Sequence, residues 1–491
     1  MIQPSRERAL DLAAEGRYGR IPVWESFEQG DLSPARAFLI LKNQSRQCFI
    51  LDSAEVTGER GRYTFLGFDP LLGISCLEGE VTLSGGADIR LPDADPNEVI
   101  ARILAENASP RIDELPPFTG GLVGYFSFEY FRYMEPSLVF DAPDVEHFKD
   151  VDLMLFDKVV AFDHQDGKVF VIVNMRTDAA AENYNRAITE IANLRTLLSG
   201  GVPATTQRLH LDSKFRALFD EQRYCAMIER ARDYIHEGDI FQVVLSNRLE
   251  ADAHGSLFGA YQILRESNPS PYMFYFSSDD VEIAGAAPET LVRLNGRTVM
   301  TFPLAGTRPR GETPADDEAL ERDLLSDPKE LAEHNMLVDL GRNDIGRISE
   351  FGSVQVDDYL SIQRFSHVMH IGSTVTGTIQ EGKTGLDAIA ALLPAGTLSG
   401  APKVRACEII GELENCRRGI YGGAIGYLGF DGDMDTCIAI RIAYKKNGKV
   451  FVRSGAGIVA DSDPATEYLE SQNKMQAVIL ALKVAQMLGE G

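Results

Sequence analysis

Two segments of the chain each carry a pair of glutamates three residues apart, Glu330 with Glu333 and Glu467 with Glu470. A spacing of three places both carboxylates of a pair on one face of an α-helix. Such carboxylates bind Mg²⁺, a hard cation that takes one or two of them together with water and substrate oxygens. Solvated surface acids are the competing interpretation, because glutamate is mostly exposed. The two pairs are therefore candidate magnesium ligands.

Glycine and hydroxyl residues cluster in three loops, Pro303 to Gly311, Pro394 to Lys403 and Arg453 to Asp463. Glycine lets backbone N–H groups approach a ligand and form anion-binding nests, although such loops are equally typical of ordinary turns. Arg441 ends the apolar run DTCIAIRIAY. This run predicts an apolar strand with Arg441 inside it, and a guanidinium there needs an anionic partner, which is either a ligand or a structural carboxylate. His370 is either a functional group or a core residue on an apolar strand.

The elements that must position these residues mix strands and helices throughout the chain. Short β-branched runs predict strands, among them Val169 to Met175, Ala424 to Phe430 and Lys449 to Val459. Amphipathic periodicity predicts helices, among them Arg223 to His236, Glu318 to Asn335 and one that starts at Pro464 with Asp463 as its N-cap. The Asn-Gly pair in YKKNGKV predicts a tight hairpin, so antiparallel sheets are expected rather than a doubly wound parallel sheet.

Composition limits the possible functions. The chain has 491 residues, enough for two hydrophobic cores, and a net charge of −25, which argues against a nucleic-acid or membrane surface. The loop-like segment 199–206 predicts a boundary between an N-terminal domain, 1–205, and a catalytic domain, 206–491. No signal peptide or membrane span is evident and the six cysteines form no CxxC pair, so we expect a cytoplasmic protein with reduced thiols.

Taken together, these segments resemble the chorismate-binding enzyme family from about Arg223 to the C-terminus. Eleven blocks occur in the family's order: FQVVLSNR, NPSPYMFYF, AAPETLVRL, PLAGTRPRG, ELAEHNMLVDLGRND, VMH, PAGTLSGAPK, YGGAIGY, CIAIR, GAGIVADSDPATEYLES and NKM. The resemblance implies an α+β fold, an α/β sandwich with orthogonal antiparallel β-sheets flanked by helices.

Two positions separate the reactions within this family. Isochorismate- and salicylate-forming members carry a lysine at the position of Gln242, where it activates water, and aminodeoxychorismate-forming members commonly carry a nucleophilic lysine at the position of Ala305. Neither residue of this chain is able to do that chemistry. The resemblance therefore implies direct attack of ammonia on chorismate and release of anthranilate and pyruvate, the first committed step of tryptophan biosynthesis. An aminodeoxychorismate or 2-amino-2-desoxyisochorismate synthase and a non-catalytic ligand sensor remain alternatives.

The resemblance also implies roles for individual residues. Glu333 and Glu470 bind Mg²⁺, with Glu330 and Glu467 as the second pair. Glu289 is the general acid at the C4 hydroxyl, and His370 assists pyruvate elimination. The remaining implied residues bind chorismate: the enolpyruvyl carboxylate at Tyr421, Arg441, Gly455, Ala456, Gly457 and Lys474, and the ring at Gly306, Thr307 and Thr397.

Regulation and partners follow from the same resemblance. The block ILDS, with Asp52 and Ser53, and the segment Pro271, Tyr272 and Met273 resemble the two walls of a tryptophan feedback site; Asp52 replaces the usual glutamate. No GxCxG nucleophile block is present, so we expect ammonia from a separate glutamine amidotransferase subunit, in a heterotetramer.

Overall fold

The computed structural model describes residues 1–53, 61–138, 142–365 and 368–487, which contain the following strands and helices. The strands are β1 (Arg20–Glu28), β2 (Cys48–Asp52), β3 (Tyr63–Phe68), β4 (Leu72–Leu77), β5 (Glu80–Ser84), β6 (Ile89–Leu91), β7 (Gly121–Phe126), β8 (Val151–Phe156), β9 (Lys158–Asp163), β10 (Lys168–Arg176), β11 (His210–Leu211), β12 (Arg216–Ala217), β13 (Gln242–His254), β14 (Tyr272–Ser277), β15 (Glu282–Ala287), β16 (Thr290–Asn295), β17 (Thr298–Thr301), β18 (Leu304–Pro309), β19 (Gln355–Arg364), β20 (Val368–Thr378), β21 (Gly400–Ala401), β22 (Ala424–Gly429), β23 (Met434–Ile438), β24 (Ile442–Lys446) and β25 (Lys449–Ile458). The helices are α1 (Arg6–Ala14), α2 (Pro34–Lys42), α3 (Pro96–Glu106), α4 (Ala180–Gly200), α5 (Glu221–Glu237), α6 (Phe258–Ser267), α7 (Pro314–Ser326), α8 (Pro328–Gly346), α9 (Gly385–Leu392), α10 (Lys403–Glu414) and α11 (Pro464–Met487), with 3-10 helices at Phe128–Tyr133 and Gly396–Leu398.

The strands form two antiparallel sheets. The first follows the order β1-β10-β9-β3-β2-β14-β15-β24-β25-β13-β11, and the second follows β18-β20-β17-β16-β23-β22-β7-β8-β4-β5-β6. The predicted hairpin joins β24 to β25, with Lys446 paired to Lys449. Asn447 and Gly448 both have positive φ, 53° and 73°, as a two-residue turn of this kind requires.

The two sheets pack face to face over an aromatic core. Phe274 and Phe276 of β14 lie in this core with Tyr125 of β7. Met273 and Tyr275, their neighbours along the strand, belong to a second core on the outer face of the first sheet. Successive side chains of a strand point to opposite faces, so one strand serves two cores.

Helices cover the outer faces. The outer core of the first sheet includes buried residues of α1, α2, α4, α6 and α11, and that of the second sheet includes residues of α3, α8 and α9. The predicted α+β sandwich of antiparallel sheets and flanking helices is confirmed. Within the described residues, no helix is both long and apolar enough to cross a membrane.

Strands from both sides of the predicted boundary at 205 share each sheet. Strand β2 pairs with β14, with Phe49 opposite Phe276, and β7 pairs with β22, with Gly124 opposite Gly426. The division into domains 1–205 and 206–491 stays a prediction. The cysteines are all unpaired, as expected for reduced thiols.

Two local predictions were wrong. The single helix expected over Glu318 to Asn335 is two helices, α7 and α8, with a break at Asp327. The Asp327 side chain caps α8 by accepting from the backbone N–H of Lys329, and Pro328 starts the new helix. Arg441 does not lie inside a strand. It lies between β23 of the second sheet and β24 of the first, with φ of 54°, because the chain changes sheets there.

A buried ion cluster, formed by Glu414, Arg418, Arg453 and Ser246, joins α10 to β13 and β25. Glu414 accepts hydrogen bonds from Arg418 Nη2 at 2.5 Å, Arg453 Nη2 at 2.6 Å and the backbone N–H of Ser246 at 2.7 Å. The three charged side chains are completely removed from solvent. Although burial alone favours the protonated acid, the two guanidinium groups hold the pKa of Glu414 below its usual value.

Replacing Glu414 with Gln is expected to lower the free energy of unfolding by about 3 to 5 kcal/mol, because two buried guanidinium groups lose their counter-charge. Urea denaturation followed by circular dichroism measures the change. Glu266→Gln, at an exposed position of α6, is the control and is expected to stay within about 0.5 kcal/mol of the unsubstituted protein. Equal stability of the two variants would contradict the role of the cluster.

Candidate active site

A cavity of about 740 Å³ lies where β13, β18, β20 and β25 meet α8 and α11. It is lined by all but one of the residues that the sequence assigned to substrate, metal and catalysis: Gln242, Glu289, Gly306, Thr307, Glu330, Glu333, His370, Thr397, Tyr421, Arg441, Gly455, Gly457, Glu467, Glu470 and Lys474. The remaining candidate, Ala456, pairs with Leu245 in the sheet, and its methyl group is buried in the core beside α5 and α10. These residues come from segments more than 200 positions apart in the sequence.

Glu289 is a buried acid in the connection between β15 and β16. Its Oε1 accepts a hydrogen bond of 3.1 Å from the Thr397 hydroxyl, and Thr397 is held in the 3-10 helix Gly396–Leu398. Burial raises the pKa of Glu289 to about 8, against the smaller opposing effect of the Thr397 hydrogen bond. The carboxyl group is therefore protonated at neutral pH and is able to donate a proton inside the cavity.

His370 is oriented by an irregularity in the neighbouring strand. The register between β18 and β20 shifts between Ala305 and Arg308, and Gly306 in this bulge has a φ of 67°, which favours glycine. His370 Nδ1 donates to the Gly306 carbonyl at 2.7 Å and lies 3.2 Å from the Thr307 hydroxyl. Desolvation lowers the pKa of His370 to about 4. The imidazole is neutral, and because Nδ1 carries the proton, Nε2 is the acceptor.

The four glutamates meet across the cavity from α8 and α11. Burial raises the pKa of Glu333, and repulsion from Glu330 and Glu470 raises it further. Burial also raises the pKa of Glu467, whose Oε1 accepts from Ser462 at 2.8 Å. No three of these carboxylates converge within 4.8 Å of one another in the described part of the chain. Arg308 and Lys474 offset only part of the negative charge of this set. An open set of hard oxygen ligands with excess negative charge fits Mg²⁺, which completes its shell with water and substrate oxygens.

Two cationic residues, Arg441 and Lys474, also line the cavity. Arg441 makes no ion pair with any residue that the structure describes, so the structural ion pair considered from the sequence is not observed there. Desolvation lowers the pKa of its guanidinium, and a charge held in this way is stabilised by an anionic ligand. Lys474 instead contacts Glu470 Oε1 at 2.7 Å and the Gly455 carbonyl at 3.2 Å. Its position four residues after Glu470 on α11 explains the first contact.

Gln242 faces the metal candidates at the start of β13. Its amide nitrogen lies 3.5 Å from Glu333 Oε1, and its amide oxygen is buried without a hydrogen-bond partner among the described residues. Ala305 lines the same cavity. Neither position supplies a base or a nucleophile.

Arg453 is a cavity residue that the sequence did not single out. It stands at the start of the loop segment already recognised for its glycines, and a lone arginine in the apolar strand KVFVRSGAGIV was the available signal. The guanidinium belongs to the buried ion cluster and lies 5.9 Å from the centre of the Tyr421 ring. Burial raises the pKa of Tyr421 to about 12, so its phenol stays protonated.

The predicted tryptophan-site residues line a second cavity, of about 90 Å³, between the sheets. Its lining includes Asp52, Ser53, Pro271, Tyr272 and Met273.

The Asp52 carboxylate in this second cavity is already bonded. It contacts Arg265 Nε at 2.5 Å and accepts from the Thr64 hydroxyl at 2.7 Å. Tyr272 connects this cavity with the active-site side of the fold, because its hydroxyl lies 2.9 Å from that of Thr290, the neighbour of Glu289.

The fold and the cavity together define an enzyme. Its cavity contains a neutral proton donor, Glu289, and a neutral proton acceptor, His370, together with acidic and cationic side chains. The sequence pattern of the family described as chorismate binding enzyme matches residues 46–480. Anthranilate synthase component 1 of Acetivibrio thermocellus is 43% identical over 99% of this chain and 99% of that protein. Its counterpart from Neisseria meningitidis is 44% identical, also over 99% of both chains. The crystal structure of anthranilate synthase component I from Streptococcus pneumoniae superimposes with a TM-score of 0.77 and 37% identity, covering 92% of this chain and 99% of that one. The chain belongs to the chorismate-binding enzyme family.

A protonated Glu289 is directly measurable. Because its pKa is raised to about 8, the protonated-carboxyl band in the infrared difference spectrum between the unsubstituted protein and Glu289→Gln is expected to persist at pH 7 and to disappear as the pH rises through about 8. Glu25→Gln is the control. Burial alone would raise the pKa of Glu25, but its ion pairs with the N-terminal amino group and Arg195 together hold the pKa below its usual value. A Glu289 band absent already at pH 6 would contradict the assignment.

Proposed function

We propose that this chain is the chorismate-aminating component of an anthranilate synthase, which converts chorismate and ammonia into anthranilate, pyruvate and water. The observation that carries the proposal is that one cavity contains both a protonated Glu289 and Arg441, which has no carboxylate partner among the described residues. The same cavity has no lysine at position 242 or 305. Full-length relatives that bear the name anthranilate synthase component 1 support the same reaction.

Substrate binding uses the division of charge in the cavity. Chorismate carries two carboxylates. Arg441 takes the enolpyruvyl carboxylate, with the hydroxyl of Tyr421 and backbone N–H groups of Gly455, Ala456 and Gly457. Lys474 adds positive charge but is shared with Glu470. Gly306, Thr307 and Thr397 border the ring.

Mg²⁺ is the proposed cofactor, held by Glu333 and Glu470 with Glu330 and Glu467 nearby. When bound, it neutralises the acidic wall and polarises the ring carboxylate of chorismate. The raised pKa of Glu333 supports this assignment, because burial and neighbouring carboxylates already disfavour its unneutralised charge.

The first chemical step is amination. Ammonia forms a C–N bond at C2, the ring double bonds shift, and the C4–O bond breaks. Glu289 gives its proton to the departing oxygen, so the hydroxyl leaves as water, and the new ammonium group returns one proton to Glu289. The unpaired amide oxygen of Gln242 is able to accept a hydrogen bond from the incoming ammonia.

The second step removes pyruvate. His370 takes the C2 proton through Nε2 as the C3–O bond breaks, and the ring becomes aromatic. The enolpyruvate then takes that proton from His370 at its methylene carbon and leaves as pyruvate, which returns His370 to its neutral form. The hydrogen bond from Nδ1 to Gly306 supports this role because it keeps the Nε2 lone pair available. An aminodeoxychorismate or 2-amino-2-desoxyisochorismate synthase would stop before this step.

The proposed ammonia source is a separate glutamine amidotransferase subunit, with which the chain would form a heterotetramer. Tryptophan is the proposed feedback inhibitor at the cavity beside Asp52 and Tyr272. Both assignments follow the resemblance to anthranilate synthases.

The function is tested by incubating the protein with chorismate, Mg²⁺ and ammonium at alkaline pH and following anthranilate and pyruvate together. Equal amounts of both products are expected. Glu470→Ala is expected to lower kcat/KM by about 100-fold or more, without rescue by added Mg²⁺, whereas Gln476→Ala, an exposed position of the same helix, keeps full activity. An aminated product that retains its pyruvyl group would favour the alternative synthases, and activity of Glu470→Ala at saturating chorismate would refute the metal assignment.

Tryptophan binding is tested by isothermal titration calorimetry. Weak binding is expected, because Arg265 already occupies the Asp52 carboxylate. Arg265→Gln is expected to tighten it by about tenfold, the equivalent of one charge-assisted hydrogen bond. Arg36→Gln, on α2, serves as a control for the lost charge. No heat at millimolar tryptophan with either the unsubstituted protein or Arg265→Gln would count against feedback control.

A further inference from the structure

Two histidines and an aspartate form a compact group on the surface, separate from both cavities. His210 and His254 are directly opposite each other in the antiparallel pair β11 and β13. Opposite residues of such a pair lie on the same face of a sheet, and Asp212 follows His210 by two residues, so it returns to that face. The three side chains are each about half exposed.

The donor atoms of this group are spaced as ligands of one ion. His210 Nδ1 lies 3.2 Å from Asp212 Oδ1, and His254 Nδ1 lies 2.9 Å from Asp212 Oδ2. One ligand atom from each residue lies within 4.8 Å of the other two, a property that no other group of three such residues has in the described parts of the chain. Bonds of about 2.0 to 2.2 Å to a tetrahedral ion place its ligands roughly 3.3 Å apart, so only small rotations are needed.

The backbone around the group is held in place before any ion binds. The two rings are stacked with centroids 5.0 Å apart and an angle of 17° between them. The Asp212 N–H donates to the Asp252 carbonyl at 2.8 Å, and the Ser256 N–H donates to the Gln207 carbonyl at 2.8 Å. Gly255, at a φ of 87°, allows this approach, since a Cβ there would lie 1.8 Å from the Arg208 carbonyl oxygen. Binding therefore requires little ordering of the chain.

We propose that His210, Asp212 and His254 form a site for a divalent transition-metal ion, with zinc as its representative. Two imidazole nitrogens and one carboxylate suit Zn²⁺, Co²⁺ or Ni²⁺, whereas Mg²⁺ prefers oxygen ligands alone. Without the ion, Nδ1 of each ring donates to the Asp212 carboxylate. Binding through Nδ1 therefore displaces that proton, and each neutral imidazole in the complex carries its proton on Nε2. Water fills the remaining positions.

The bound ion would fasten β11 to the end of β13. Strand β11 is only two residues long and follows the segment 201–209, which has no regular secondary structure. It therefore has few backbone hydrogen bonds of its own to hold it. Strand β13 starts at Gln242, which lines the active-site cavity. The ion acts as a cross-strand clamp, and an ion that binds only the folded chain raises its melting temperature.

The test is a zinc titration of the full chain by calorimetry, after chelator treatment and with excess Mg²⁺ present to occupy the acidic wall of the cavity. One Zn²⁺ per chain and a higher melting temperature are expected. His254→Asn is expected to weaken zinc binding at least about tenfold, since loss of groups that merely support a ligand already costs 10- to 100-fold, and to abolish the thermal shift. His236→Asn, an exposed histidine of α5, is the matched control and should bind as the unsubstituted protein does.

Co²⁺ gives a second readout that does not depend on stability. Its visible absorption changes when imidazole ligands replace water, so the unsubstituted protein and His236→Asn are expected to give the same spectrum, which His254→Asn and Asp212→Asn lose. Equal zinc affinity of His254→Asn and the unsubstituted protein, or a cobalt spectrum unchanged by both substitutions, would overturn the proposal. Neither result depends on the activity proposed above.

Discussion

The ion pairs of the buried Glu414 carboxylate hold one part of the active-site cavity in place, the part lined by Arg453, Thr397 and Tyr421. Glu414 joins two guanidinium groups that would otherwise stand uncompensated in the core. Arg418 also donates to the Leu398 carbonyl at 2.6 Å, which fixes the 3-10 helix carrying Thr397, and both guanidiniums lie about 6 Å from the Tyr421 ring. The Glu414 carboxylate thus holds in place the segments that carry Thr397, Tyr421 and Arg453. Burying these charges carries a large desolvation free energy, so the cluster serves mainly to fix the positions of these segments rather than to increase net stability.

The same cluster helps to explain how a chain with a net charge of −25 accommodates a dianionic substrate. One carboxylate between two arginines leaves an excess positive charge under the cavity, and Arg441 adds another close by. The glutamates of α8 and α11 concentrate negative charge in the same cavity. A single anion in this cavity would be repelled by these glutamates. In the proposed complex, a dicarboxylate together with a divalent cation would balance both sets of charges, because one carboxylate would meet the arginines and the other would share the cation with the glutamates.

Sequence patterns predicted what local geometry determines. The Asn447–Gly448 turn needs only two residues with positive φ, and the glutamate pairs need only helical spacing. Features set by distant parts of the chain were not predictable in this way. The break at Pro328 overrides a helical pattern that continues through it, and Arg441 is placed by a change of sheet that no local period records. The pairing of Asp52 with Arg265 joins residues 213 positions apart, so the motif that suggested Asp52 as a feedback residue gave no sign that its carboxylate is already bonded.

Burial brings the two proposed proton-transfer groups to their useful states by a single effect. Removing a group from water disfavours its charged form, and that form is the anion for Glu289 but the cation for His370. The same environment therefore raises the pKa of Glu289 to about 8 and lowers the pKa of His370 to about 4. Both side chains are neutral at neutral pH, one as a donor and one as an acceptor. Ionising Glu289 and His370 in the same low-dielectric cavity would add a desolvation cost. Keeping both neutral therefore lets the proposed acid and base lie close to the charged side chains of the cavity.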